Sequence, residues 1–379
     1  MIKKKIRIIA INTFLIFISV LLTLCLVEGL SYVYLKFKPL PDPLGIFDFR
    51  IKYATPYKDA EYFSQEFHLE SIESAKESAM TIHPNYRYVV HGDYQGKFFN
   101  VKNHCRVTTN QPKSFKNTIY FFGGSTVFCQ EVPDYHTIAS YLQRLVNEKY
   151  PNTYIVRNFG TCAATSYHQL GRLLDTPVNP VDIVIFYDGV NDIVFSVERD
   201  RHAQKNFVAL NPFEKKLKKL YIQYGECSTF VRLLYSLDTN VAVGKRINLS
   251  VIKEKLVKTC MVYFAVLQNA FHYAQQHKAK FYHFLQPNIF TLPKHTKYEE
   301  LIIKNDRLVS HAFSESFEFG YPALRKVGFE ARKRGIQSKD LSSVLDKRDT
   351  DEEFYLDAFH MNHKANQRVA EAIFQEIFP

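Results

Sequence analysis

The chain has 379 residues, 46% of them apolar and 23% charged, which is the balance of a folded globular protein and excludes an intrinsically disordered one. With 14 Gly and 15 Pro it is neither collagen-like nor low-complexity, and six Cys without a CxxC spacing make neither a disulfide scaffold nor a zinc finger. The 49 basic residues against 38 acidic ones leave a net charge of +11, spread along the chain without a nucleic-acid-binding signature, so an anionic membrane surface is the better explanation of the excess.

The N-terminus points the same way. Residues 8–27 (IIAINTFLIFISVLLTLCLV) carry no charge. A helix of that length rises about 30 Å, the thickness of a bilayer's hydrocarbon core. Lys3, Lys4, Lys5 and Arg7 precede it, and the nearest basic residues after it are Lys36 and Lys38. That asymmetry puts residues 1–7 in the cytoplasm and the rest of the chain outside, on the periplasmic or cell-surface side. A cleaved signal peptide would have a shorter apolar region ending in small residues, and Leu24-Cys25-Leu26-Val27-Glu28 offers none. The expectation is an uncleaved single-pass anchor. Outside the cytoplasm disulfides are permitted among Cys105, Cys129, Cys162, Cys227 and Cys260, with the pairing open.

Residues 28–60 contain four Pro between positions 39 and 56 and read as a linker or surface arm. Residues 61–115 read as an accessory region, and the pattern changes at about 116. Four short runs rich in β-branched and aromatic residues follow: 117–122, 153–159, 181–187 and 280–285. Helical stretches lie between them at roughly 134–149, 163–174 and 252–277, with a last amphipathic helix over 363–378. Strands alternating with helices imply βαβ units, hence an α/β fold in which a central parallel sheet is covered on both faces, a three-layer α/β/α arrangement. Residues 195–250 interrupt the alternation. Within them 211–221 put Phe213, Leu217, Leu220 and Tyr221 on one helical face opposite lysines, which fits an ordinary packed helix, or a lid or membrane-apposed insert.

Ligands in such sheets sit beyond the carboxyl ends of the strands. The first predicted strand delivers Gly123-Gly124-Ser125-Thr126, a turn able to expose a serine hydroxyl, although no Gly two positions after Ser125 completes a G-x-S-x-G elbow. The second ends at Asn158-Phe159-Gly160, where Gly lets the backbone approach a ligand or simply turns the chain. The third delivers Asp188-Gly189-Val190-Asn191-Asp192; the Asn191 amide is a donor suited to an oxyanion, and such residues also cap helices. Near the C-terminus come Asp357 and His360, three apart at a helix entry, where a carboxylate can hold one imidazole nitrogen and leave the other to accept a proton.

Taken together, in this order and spacing, these blocks resemble the SGNH hydrolase superfamily of GDSL-like esterases and lipases. The first block appears as Phe121-Phe122-Gly123-Gly124-Ser125-Thr126, a GGST variant, the third as Tyr187-Asp188-Gly189-Val190-Asn191-Asp192, and the last as Asp357-x-x-His360. The resemblance spans residues 117–379 and is strongest to membrane-anchored bacterial members with a helical insert after the third strand; Phe284-Leu285-Gln286-Pro287 also resembles a segment of those members. Departures are Ala365-Asn366 where Gly-Asn is common, and Cys129 and Cys162 beside the first two blocks.

The resemblance implies a flavodoxin-like hydrolase domain over 116–379. It implies Ser125 as nucleophile, His360 as general base and Asp357 as its orienting carboxylate. The backbone N–H groups of Ser125 and Gly160 with the Asn191 side chain would form the oxyanion hole. No cofactor and no metal are expected. Asp188 and Asp192 are expected to be local hydrogen-bond and turn residues, and the other histidines surface or packing residues. The expected partner is an acyl-ester substrate, an acylated envelope glycan or a lipid, with acyl length and oligomeric state open and no nucleic acid. The rival readings are an O-acyltransferase passing the acyl group to a glycan hydroxyl, and a non-catalytic, membrane-tethered glycan-binding or assembly protein.

Overall fold

The computed structural model describes residues 2–37, 57, 60–78, 80–83, 88–196, 228, 230, 249–304, 311–349 and 352–379. The chain divides into two units, one formed by Met1–Gly45 with Asp200–Lys245, the other by Ile46–Arg199 with Arg246–Pro379. In the first, a continuous helix α1 runs over Ile2–Phe37. Its stretch Ile11–Tyr34, 24 residues with mean hydropathy 2.3, is long and apolar enough to cross a membrane. Hydroxyls within it are satisfied by the helix itself, Thr23 Oγ1 donating to Ser19 O and Ser31 Oγ to Val27 O. The helix continues through residues 28–37, which the composition alone had given to the linker. Glu28 in this helix accepts from Ser228 Oγ at 2.8 Å and from Phe230 N at 3.2 Å. The amphipathic stretch 211–221 and most of the interruption at 195–250 lie outside the described residues, as does most of 38–60.

The second unit is built on one eight-stranded sheet. Its strands are β3 (Tyr94–Gln95), β4 (Asn100–Lys102), β5 (Cys105–Arg106), β6 (Asn117–Gly123), β7 (Tyr154–Gly160), β8 (Ile183–Asp188), β9 (Lys280–Leu285) and β10 (Gln337–Asp340). A separate antiparallel pair, β1 (Thr81–Ile82) and β2 (Val89–Val90), precedes them. The sheet order is β10-β9-β8-β6-β7-β5-β4-β3. The five strands from β7 to β10 run parallel, and read in chain order they lie 2-1-3-4-5, the flavodoxin-like arrangement. Residues 94–106, within the expected accessory region, extend this sheet as an antiparallel meander, joined to β7 at Arg106 opposite Asn158. The sheet is therefore mixed, mostly parallel.

The strands form where they do because both faces are buried. Along β6, Ile119 and Phe121 enter one core while Tyr120 and Phe122 enter the other, and β8 alternates likewise with Ile183, Ile185 and Tyr187 against Val184 and Phe186. Each such side chain contributes about 1.5–3 kcal/mol on burial. The first core is covered by α4 (Ile138–Lys149) and α10 (His363–Ile377), capped by Thr137 and Asn362, whose side chains accept from Ser140 N and Ala365 N. The second is covered by α5 (Ser166–Leu174), α7 (Leu249–Gln276) and α9 (His311–Lys333). The short helical turn α6 (190–196) precedes α7, and α8 (Lys297–Lys304) precedes α9. The first core also takes in Phe67 of α2 (Gln65–Glu77), with Phe98 and Phe99.

One close approach governs the site's end of the sheet. Gly123 and Gly160 stand side by side in the parallel register. The short helix α3 (Ser125–Phe128) lies directly on β7: a Cβ at Gly160 would stand 2.2 Å from Phe128 N. Gly160→Ala must push α3 off the strand, and such overpacking costs about 1–3 kcal/mol. Urea unfolding of the full chain in detergent should show that loss against wild type; equal midpoints would contradict the contact.

Candidate active site

Ser125 is the first residue of α3, reached from β6 through Gly124 in extended conformation. His360 and Asp357 lie in a tight loop before α10. The backbone closes this loop, with Leu356 N donating to His360 O at 2.8 Å and Asn362 N to Phe354 O at 2.9 Å. Asp357 and His360 do stand at a helix entry, since α10 begins only at His363, and it is a turn that brings them together. Asp357 Oδ1 accepts from the N–H groups of Phe359 and His360, both at 2.8 Å, so the carboxylate is fixed before it meets the ring. His360 Nδ1 then stands 3.0 and 2.9 Å from the two Asp357 oxygens, and Nε2 stands 2.8 Å from Ser125 Oγ. With the proton assigned to Nδ1 for the carboxylate, Nε2 accepts from the serine hydroxyl. The imidazole is 16% exposed and the carboxylate 6%, so this contact is largely shielded from water.

Asn191 lies in the helical turn 190–196 after β8, on the opposite side of β6 from β7, and hence at the point where the strand order reverses. Its Nδ2 donates to Ala164 O at 2.9 Å and lies against Gly124, where a Cβ would come within 2.5 Å of it. One amide hydrogen is thus spent on orientation and the second remains to donate.

Gly160 is placed differently from the expectation. Its N–H donates to Asn158 Oδ1 at 2.9 Å, so it does not face the serine as a donor. Its role is the absence of a side chain under α3. The loop that follows consumes its N–H groups one by one: Thr161 to Gly123 O, Cys162 to His91 Nε2, Ala164 to Thr161 O, Thr165 to His168 Nδ1 and Ser166 to Asp192. Ala163 is the exception. Among the described residues its N–H has no hydrogen-bond partner, the residue is exposed, and its φ of 60° is in the left-handed region. Arg172 ties the loop down, Nη1 donating to Phe159 O at 2.9 Å and to Thr161 Oγ1 at 3.1 Å.

Two residues unmarked by the sequence patterns also reach this neighbourhood. Glu131 Oε1 lies 3.7 Å from His360 Nε2, and its side chain is 6% exposed. His91 stacks on Phe128 with ring centroids 4.0 Å apart, and its two nitrogens engage Ser78 O and Cys162 N. Asp192 accepts from Ser166 Oγ at 2.6 Å, and burial, aided by the charge of Asp188, pushes its carboxyl up to about 7. Asp188 is not a turn residue: it accepts from Tyr263 in a buried chain that continues through His283 to Ser338. Among the described residues the cysteines at 25, 105, 129, 162 and 260 form no disulfide with one another, and Cys227 lies outside the described residues. Among the described residues no group of three or more His, Cys, Asp or Glu side chains is arranged to hold a metal ion.

Burial lowers the His91 pKa to about 4. A histidine with a depressed native pKa binds fewer protons folded than unfolded, so its contribution is complete above about pH 6.5 and is lost as pH falls toward 4. Between pH 7.5 and 4.5 wild type should lose about 2–3 kcal/mol more stability than His91→Gln, by urea titration at the two pH values. Parallel losses would show that His91 is not held neutral.

No family model and no curated protein matches this chain. Among solved structures it is similar to a lipolytic protein of the G-D-S-L family from Veillonella parvula, at 13% identity over 70% of this chain and 98% of that one, with a TM-score of 0.38. It is similar to an acetyl xylan esterase from Geobacillus stearothermophilus at 14% identity, over 70% and 96% of the two chains, with a TM-score of 0.39. It is also similar to the lipase Lip_vut3 from a goat rumen metagenome at 10% identity, over 69% and 97%, with a TM-score of 0.42. Likenesses at this level carry no argument about the reaction, which rests on the side chains described above.

Proposed function

We propose that this protein is a serine ester hydrolase of the SGNH type, tethered by α1 with its hydrolase domain outside the cytoplasm. The observation that carries the reading is the continuous contact from Asp357 through His360 to Ser125 Oγ, made by residues 235 positions apart in sequence. A serine hydroxyl has little reason to meet a carboxylate-bound imidazole at a strand end unless its proton is to be removed. The extracytoplasmic placement is supported by Lys3, Lys4, Lys5 and Arg7 ahead of the apolar span.

In this reading Ser125 Oγ attacks the ester carbonyl carbon while its proton passes to His360 Nε2, and Asp357 stabilises the imidazolium. The oxygen that becomes negative is received by the Ser125 N–H, the second hydrogen of Asn191 Nδ2 and the N–H of Ala163, which takes the place first given to Gly160. The C–O bond to the alcohol then breaks, the alcohol takes the proton from His360, and the acyl group stays on Ser125. Water attacks this acyl-serine with His360 again accepting the proton, releasing the carboxylic acid and restoring the hydroxyl.

Detergent-solubilised full chain should hydrolyse p-nitrophenyl acetate. Ser125→Ala and His360→Ala should each lose at least about a thousandfold, and the two losses should not add. Asn191→Ala should lose about a hundred- to thousandfold in kcat. Wild type should also be labelled by a fluorophosphonate at Ser125. A folded Ser125→Ala protein with undiminished turnover would sink the assignment; a labelled but non-hydrolysing wild type would point to transfer onto another acceptor.

A further inference from the structure

Glu131 stands beside the imidazole of His360. Its Oε1 is 3.7 Å from His360 Nε2, the nitrogen that also contacts Ser125 Oγ at 2.8 Å. At 3.7 Å the carboxylate is beyond hydrogen-bond reach of the ring, so the two are offset neighbours facing the same space. Its position is set from outside the site. Arg106, only 1% exposed, donates to Asp134 Oδ1 at 2.6 Å and to Val132 O at 3.0 Å, while Tyr57 OH donates to Glu131 O at 2.9 Å. The loop carrying Glu131 is therefore held by contacts that come from outside the site.

We infer that Glu131 is a specificity-determining residue that accepts a hydrogen bond from a hydroxyl on the carbon next to the ester oxygen, so that the preferred leaving group is a polyol such as a sugar carrying an acyl ester beside a free hydroxyl. The inference rests on the esterase reading. The alcohol oxygen must come within hydrogen-bond distance of His360 Nε2 to receive its proton, and a substituent on the adjacent carbon then falls beside Nε2, where Glu131 Oε1 is. A carboxylate offers about four acceptor positions, so a bond it already makes leaves room for another. At 6% exposure such a charge-assisted bond forms with little competition from water. A simple alkyl alcohol or a phenol makes no such bond.

The test uses the full chain in detergent, as wild type, Glu131→Gln and Glu131→Ala, with three esters: p-nitrophenyl acetate, a methyl glycoside carrying one O-acetyl group beside a free hydroxyl, and its analogue with that hydroxyl replaced by hydrogen. Wild type should prefer the hydroxylated glycoside over the deoxy analogue by about ten- to hundredfold in kcat/KM. Glu131→Ala should lose that preference, kcat/KM falling about ten- to hundredfold further on the hydroxylated glycoside than on the other two esters, and Glu131→Gln should fall between. Equal losses on all three esters would overturn the proposal by showing that Glu131 acts through His360 or the fold. An unchanged preference in Glu131→Ala would overturn it by showing no contact. No hydrolysis of any ester by folded wild type would instead overturn the esterase reading itself, and this inference with it.

Discussion

A single buried amide, Asn158, joins the parts of the site that come from the first two parallel strands. Its Nδ2 donates to Val127 O in α3 at 2.7 Å, and its Oδ1 accepts from Gly160 N–H at 2.9 Å. The side chain is fully buried, so losing either bond would leave a desolvated polar group, a penalty of about 1–3 kcal/mol. Through it the helix that begins at Ser125 and the loop that carries Ala163 keep one spacing. Gly160 permits that spacing by having no side chain, and Thr161 N–H closes it on Gly123 O at 3.0 Å. Opposite Asn158 in the antiparallel register is Arg106, so the same rung ties the sheet to the clamp on residues 129–134.

The groups of the proposed site come from four separate places in the chain, and the strand order explains how they meet. β6 lies between β7 and β8, so chain segments leaving these strands diverge to opposite faces and open a crevice at their carboxyl ends. Ser125 follows β6, Asn191 follows β8, and the loop at 161–165 follows β7. His360 enters from the far end of the sequence because α10 packs beside α4 on the first core, which sets the preceding turn over α3. The hydrophobic layers thus supply the placement, and short polar bonds supply the aim.

Much of this was legible in the sequence, and the gaps have physical causes. The four central strands announce themselves because both faces are apolar. β10 does not: Gln337-Ser338-Lys339-Asp340 sits at the sheet edge with only Ser338 buried, so nothing in its composition marks a strand. β3, β4 and β5 are two or three residues long, too short for an alternation to register. The proposed catalytic residues Ser125, Asn191, Asp357 and His360 are legible through motif order. The donor loop is not, because a glycine after a strand reads as a free N–H, whereas Gly160 N–H is used internally. Ala163 gives no warning at all, since alanine is not a residue that signals positive φ; holding it there costs about 1–2 kcal/mol, met by the bonds on either side. Glu131 and His91 were missed for a related reason. Each lies in an aperiodic segment, and only the tertiary fold brings it to the site.

The Arg106–Asp134 pair makes most sense as a device of placement. Buried ion pairs are weak contributors to stability, because the cost of removing two charges from water nearly cancels their attraction. This one is surrounded by compensations: Asn100 donates to Asp134 from both its backbone N and its Nδ2, and the guanidinium stacks over Phe99 at 4.6 Å and Phe128 at 5.3 Å. What the arrangement holds is the chain between Cys129 and Asp134, and in it Glu131. A carboxylate left to itself would turn outward to recover its hydration. Pinning the backbone on both sides removes that freedom and keeps the charge at 3.7 Å from His360 Nε2. A charge so confined recognises a donor without first having to be ordered, and in the proposed reaction the donor would be part of the leaving alcohol. The same rigidity disfavours an anionic leaving group, which would meet Glu131 with like charge in a shielded site.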